Sequence, residues 1–445
     1  MILIDPNKYA IMIISGSNIK GANFSGTPEP SGNVAGSITI LSSPISPTPV
    51  SWNLNPVPAG GNGALTMSVA GGVYVIRADS DASITLKMWG GGGGGAFGAV
   101  PTPPGSPTGM GSPGGGGGFT GGTWNLINNQ VYTCVVGGGG TAVSTPTLPQ
   151  AAPGAGGGGA SGIEIGNTPT GYGSNANIVI AVAGGGGGAS VRTIGTATPY
   201  PAPITGTANN AVAVGGGGGG TTAGSGQIGG YGYLTGQSVL TPGPVATVYF
   251  GGGGYWDGAG TITGNVTATP VAPGNPASGT APSYYNPGSP ALNNWGGLGV
   301  AGTTVIPGAA GGSGWAPGGS GGKNSTPGLT VWGAGGGGGG FRGGAGGGRA
   351  PPISPNSNAA GTAGGGGSGY YNTAHMAPGT VTTTGEGGFP PSIPQSTIAN
   401  TTVRPAANTS DPDYSPVNLW GQGGRGGRTS SSQPGNPGAI ILSMP

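Results

Sequence analysis

The sequence predicts an all-β fold threaded by extended glycine segments, and three observations predict it. Short apolar runs with strand-like alternation recur along the chain, as in ALTMSVA (residues 64–70) and SITLKMW (83–89). No sustained 3.6-residue apolar spacing survives the interruptions of 112 glycines and 44 prolines among 445 residues. Finally, nine runs of four or more glycines occur, and several begin directly where a β-like run ends. An apolar strand that turns abruptly into polyglycine is not a linker pattern. It describes a β scaffold that extrudes glycine segments.

Residues 1–89 are the least glycine-rich, with candidate strands at 2–4, 9–14, 36–41, 64–70 and 73–78. A further strand at 84–89 runs into the glycines 90–95. Asp79 and Asp81, in ADSDAS, flank an expected hairpin turn, because Asp favours turns through local hydrogen bonds. Beyond residue 90 a loose theme repeats without a fixed period. The β-like runs 131–136, 178–183 and 245–250 meet the glycines 137–140, 184–188 and 251–254, and 329–332 reaches 335–340 through Gly333 and Ala334. Pro/Thr/Ser/Ala-rich excursions separate these blocks, among them 221–244, 261–291, 372–394 and 400–416. The ending GAIILS (438–443) reads as a terminal strand that closes a sheet, so truncation there is expected to be destructive. Two regions follow. Residues 1–83 supply either a separate attachment unit or the first strands, and 84–445 form the glycine-rich unit.

Composition removes several classes. Collagen needs a Gly-X-Y period, and these glycines are contiguous. Disorder is marked by low hydrophobicity and high net charge, whereas 34% of these residues are hydrophobic and 4% are charged. A net charge of +2 leaves no footprint for nucleic acid or an anionic membrane. The single cysteine, Cys134, excludes an intrachain disulfide framework and sits in VYTCVV as a small core residue. The N-terminus does not read as a signal peptide, and no apolar stretch approaches the length of a membrane span.

Glycine runs need a physical reason. In the extended left-handed threefold conformation a residue rises about 3.1 Å, so the glycines 90–95 would span roughly 19 Å. That conformation makes no internal hydrogen bonds, so a buried run must pair with neighbouring segments. Glycine alone lets backbones approach closely enough to do so. Ordering a residue costs about 1–2 kcal/mol, and glycine loses the most freedom. Such runs therefore order together, anchored by a preformed β core.

The chemistry-bearing residues are sparse. His375 is the only histidine and has no partner set for a triad or zinc site, so it reads as a loop residue. Asp411 and Asp413 in SDPDYSP form a turn before they form a calcium site. Lys323 in GGSGGKNS lacks the P-loop pattern, since Pro317 and Asn324 stand at its first glycine and Ser/Thr positions. Arg342, Arg349, Arg425 and Arg428 resemble RGG segments, but capping the carbonyl ends of glycine bundles or bonding a neighbouring subunit suits them better. No catalytic, metal or cofactor-binding residues and no cofactor are expected. Candidate recognition residues are Tyr255, Trp256, Tyr284, Tyr285, Tyr370 and Tyr371, exposed aromatics suited to protein or sugar. The alternative is that each seals the edge of a glycine bundle, the reading preferred for Trp89 and Trp332 at strand ends.

The blocks LKMWGGGGGG, VIAVAGGGGGAS, YFGGGGYWDG, VWGAGGGGGGFRGGAGGG, TAGGGGSGYYN and PGAIILS resemble the glycine-rich domain of viral and phage tail-fibre adhesins. They also resemble the glycine-rich ectodomain of anaplastic lymphoma kinase-type receptors. The likeness covers roughly residues 84–445. It implies jelly-roll-like strands alternating with polyglycine II helices in a hexagonal array, with almost no α-helix. The receptors are disulfide-rich and carry a membrane span and a kinase, which are lacking here, so the viral relatives are nearer. The expectation is a non-enzymatic structural or attachment protein of a virus particle, capsid-associated or tail-fibre, at the virion surface. Its partners would be other virion subunits and a host receptor or glycan. No nucleic acid and no membrane span are expected; an oligomer is. The alternative is a secreted, extracellular matrix or ligand-binding glycine-rich protein.

Overall fold

A computed structural model describes residues 36–55, 61–96, 113–142, 155–167, 178–189, 215–219, 335–341, 343–344, 363–385, 403–426 and 432–445, with the backbone of four short strands between 248 and 297. Its regular structure is nearly all β. The strands are β1 (Ser37–Ser42), β2 (Val50–Asn53), β3 (Leu65–Met67), β4 (Val73–Ala78), β5 (Ala82–Trp89), β6 (Phe119–Leu126), β7 (Val131–Val135) and β8 (Ser161–Ile165). They continue as β9 (Val179–Ala183), β10 (Val248–Phe250), β11 (Ala268–Pro270), β12 (Ala291–Leu292), β13 (Gly296–Gly297), β14 (Tyr370–Tyr371), β15 (Thr382–Thr384) and β16 (Ala439–Ser443).

Alternation decides which side each strand buries. In β5, Ile84, Leu86 and Met88 point inward and are fully buried, while Thr85 and Lys87 take the other face. β5 pairs with β6 over its whole length, from Ala82 opposite Leu126 to Trp89 opposite Phe119. The five-stranded antiparallel sheet runs β15-β6-β5-β16-β3, and a seven-stranded antiparallel sheet runs β14-β9-β8-β7-β4-β1-β2. The pairs β10–β11 and β12–β13 form two small separate sheets, the first parallel. One apolar core draws on both large sheets. Ile38, Ile76, Tyr132 and Ile163 come from the seven-stranded sheet, and Leu86, Trp124, Ile440 and Leu442 from the five-stranded one. The Trp124 and Tyr132 rings meet edge-on at 4.8 Å across this core.

Strands from the first 83 residues share both sheets with later strands. β4 pairs with β7, and β3 pairs with β16. β16 sits between β3 and β5, so both depend on a partner far along the chain.

The expected strands at 73–78, 84–89, 131–136, 178–183 and 438–443 form, each within about two residues of its expected bounds. The run 64–70 yields only β3, and the candidates at 2–4, 9–14 and 329–332 lie outside the described residues. One turn needs correcting. Asp79 and Asp81 do not flank a hairpin, because β4 and β5 belong to different sheets. The two acids instead brace a corner between sheets. Asp79 accepts hydrogen bonds from Thr39 and Arg77, and Asp81 accepts one from the Asn128 N–H.

Candidate functional site

The glycine segments grow out of the strand ends. β5 continues into 90–95, β7 into 137–140 and β9 into 184–188, while 114–118, 155–160, 363–369 and 433–438 lead back into β6, β8, β14 and β16. Outgoing and returning segments lie side by side.

Their hydrogen bonds repeat every third residue. Along 90–95 the N–H groups donate in turn to Gly118, Gly159, Asn436, Gly115, Gly156 and Gln433 carbonyls, at 2.8–3.0 Å. The targets therefore cycle through three neighbours: 114–118, 155–160 and 433–438. Its carbonyls accept from three others, Gly91 and Gly94 from 184–189, Gly92 from Gly140 and Gly93 from Gly424. Six segments surround this one. The segment 184–189 is a second such centre. It donates to Gly339, Gly91, Gly216, Gly336 and Gly94, and accepts from Gly118, Gly367, Gly158, Gly115, Gly364 and Ala155.

Surrounded segments have no face left for a side chain. A Cβ at Gly90, Gly91, Gly92, Gly93, Gly94 or Gly95 would strike a carbonyl oxygen, of Gly184, Gly138, Gln422, Gly187, Thr141 and Arg425 respectively. The obstacle cycles with the same period of three. At the rim the rule relaxes. In 421–426 glycine faces the neighbours, while Gln422 and Arg425, three residues apart, are half-buried. In 433–438 only Gly435 and Gly438 face inward, toward the carbonyls of Gly92 and Trp89, and Gln433 and Pro434 are exposed. Glycine density thus follows the number of neighbours.

Aromatic side chains close the junction between sheets and glycine array. On the outer side of the seven-stranded sheet, Phe341 stacks on Tyr370 at 3.8 Å, against Val135, Val179 and Val182. On the outer side of the five-stranded sheet, Trp89 is fully buried against Phe119, Tyr414 and Trp420, with ring centroids 5.0–5.8 Å away. Its indole N–H donates to the Ala407 carbonyl at 3.1 Å. Residues 403–420 therefore form a strap across this sheet. Burial pushes the Tyr414 hydroxyl up to about 12; that hydroxyl donates to the Trp420 carbonyl.

One charged cluster ties the strap down. Lys87 Nζ lies 2.8 Å from Asp411 Oδ1 and 2.7 Å from Asp413 Oδ2. Burial alone would lower the ammonium, but its bonds to the two acids outweigh this and hold it above the ordinary lysine value. The turn 411–413 expected from sequence is present, and its acids face a lysine.

Of the candidate recognition residues, Tyr370 and Tyr371 are half-buried in edge strand β14, paired with Val182 and Ala181 of β9. Tyr371 packs against the main core. Tyr255, Trp256, Tyr284 and Tyr285 lie outside the described residues, as do Trp332, Lys323, Arg342, Arg349 and Arg428. His375 is half-buried in a turn anchored by the buried Met376, and burial lowers its pKa. Cys134 is fully buried in the core, which raises its thiol pKa. Glu164 is also fully buried, in β8 opposite Thr133. Among the described residues no group of three or more His, Cys, Asp or Glu is placed to hold a metal, and no helix is long and apolar enough to cross a membrane. Sequence reasoning missed the strap and its lysine. The signal available was the pairing of an isolated outward lysine with the acid-rich turn.

No protein-family model matches the chain, and no curated protein matches it in sequence.

Proposed function

We propose that this chain is a non-enzymatic structural and attachment protein of a virus particle, built as a jelly-roll-like sandwich that carries a hexagonal bundle of polyglycine II helices. The observation that carries the architectural part is the three-residue cycle of donors and acceptors around 90–95 and 184–189, each with six neighbours. Three residues per turn is the period of that helix, and six neighbours is hexagonal packing.

The mechanism is mechanical. The array is nearly free of charge and offers proteases little loose backbone. Two of its chain connections leave from the end opposite the sheets, since 95 and 114, and 188 and 215, are the ends remote from the strands, whereas Gly219 ends beside Gly385 at the sheets. Pro- and Thr-rich loops placed there would face a host receptor, a glycan or a neighbouring subunit. The low charge fits a surface that must pack against other subunits without steering unwanted polyanions.

The test uses antibodies against residues 261–291 on material from cultures that make the chain. Co-sedimentation with particles and labelling at their surface is the expected result. Recovery as free extracellular protein, with particles unlabelled, would favour the matrix alternative and end the virion reading.

A further inference from the structure

We propose that Lys87 and Asp411 become joined by an intramolecular isopeptide bond, formed by the folded chain itself with Asp413 as proton relay. The three residues meet only through the fold, since Lys87 lies on β5 and the acids lie 324 and 326 residues further along. Nζ lies 2.8 Å from Asp411 Oδ1, which holds the amine beside the carboxyl carbon it would attack. Well-oriented intramolecular partners reach effective concentrations on the order of 10⁵ M.

The surroundings favour the amide over the ion pair. The Lys87 and Asp411 side chains are only 18% and 12% exposed. Trp89, two residues on along the same face of β5, and Tyr414, next after Asp413, wall the site beside Trp420. Partial burial strips some water from the two ions, a loss that a neutral amide feels less. Asp411 is also oriented. Its Oδ1 accepts the Asp413 backbone N–H at 2.9 Å, a donor aimed where negative charge develops when nitrogen attacks. Asp413 is 47% exposed, which opens a path for the departing water.

The step balances without a co-reactant. The ammonium passes one proton to the Asp413 carboxylate, and the freed lone pair forms the Nζ–Cγ bond. Asp413 delivers that proton, and then a second one from the same nitrogen, to an Asp411 oxygen. The Cγ–O bond breaks and water leaves, so ammonium plus carboxylate become amide plus water and Asp413 ends unchanged. Because the acids hold the ammonium above its ordinary range, free amine is scarce and the proton must move within the triad, the task for which Asp413 is placed. The product ties the strap covalently to the five-stranded sheet.

Intact-mass spectrometry of the denatured full-length chain reads the bond directly, on fresh protein and after prolonged incubation at neutral and alkaline pH. The expected mass is short by one water, with a branched peptide linking residues 87 and 411 after digestion. Lys87→Arg keeps the ion pair and should show the full mass, as should Asp411→Ala. Asp413→Asn should slow bond formation by about 10²-fold or more, with both reacting groups in place. Full mass in the unsubstituted chain under every condition overturns the proposal and leaves an ion pair. A deficit located elsewhere, or one retained in Lys87→Arg, overturns it equally.

Discussion

Replacing Gly93 by alanine tests the close packing of the glycine array at its centre. A Cβ there would strike the Gly187 carbonyl oxygen and carbon and press on Gly186. All are backbone atoms, so no side chain can rotate aside. Segment 184–189 must shift away from 90–95, and two bonds go with it: Gly186 N–H to Gly91 at 2.9 Å and Ala189 N–H to Gly94 at 3.1 Å. Each buried bond left unmade costs about 1–3 kcal/mol, so the pair costs about 2–6 kcal/mol. The stiffer unfolded chain offsets about 0.4–1 kcal/mol. A net loss of about 1–6 kcal/mol is a sizeable part of a total stability of about 5–15 kcal/mol. Urea unfolding followed by tryptophan fluorescence should show a lower midpoint with an unchanged slope. Gly63→Ala is the control, because nothing lies within 4 Å and only its φ of +80° is strained. That strain costs about 1–2 kcal/mol. A Gly93→Ala protein as stable as the unsubstituted chain would refute the packing argument outright.

Other outcomes follow from the same contacts. Trp89→Ala should cost about 3–5 kcal/mol, because it empties the centre of the aromatic cluster under the strap; the same unfolding experiment reads it. Leu442→Ala should cost about 2–5 kcal/mol, and deletion of 439–445 should leave insoluble protein, since β3 loses its partner strand. Alkali should loosen the strap. Burial holds the Tyr414 hydroxyl at about 12, while an unfolded tyrosine ionises near about 10. The folded value is the raised one, so this stability is full below about pH 10 and falls away as pH rises toward the folded value. Tyrosinate absorbance and tryptophan emission should therefore change together in that window, and independent changes would contradict the coupling. Cys134 should resist thiol reagents in the native protein and react once in denaturant, because it is buried in the core and its thiol pKa is raised.

Much of the fold was legible because its strands alternate. SITLKMW and VYTCVV carry their buried faces in the sequence, and the glycine runs that follow them mark where the strands end. β6 was not legible. Gly121 and Gly122 interrupt its pattern, and the first sits where a Cβ would press on Phe119 and Leu86. β8, as SGIEI, hides a fully buried glutamate in a strand with few apolar residues. The corner at 79–81 looked like a hairpin because turn chemistry is local, whereas the sheet a strand joins depends on partners far along the chain. The strap was illegible for the same reason. DPDY reads as a turn, and only the fold brings Lys87 to it across more than 300 residues. Of the aromatic candidates, Tyr370 and Tyr371 carried a strand-edge role that a doubled tyrosine after a glycine run does not announce.

Amide hydrogen exchange resolved at residues 90–95 and 184–188 tests the central claim most directly. Every interior N–H along these runs has a carbonyl partner in a different segment, so protection should be comparable to that of the central strands β4, β5 and β7. Exchange at the rate of a free glycine chain, with those strands protected, would mean that the array does not exist and that the sheets stand alone.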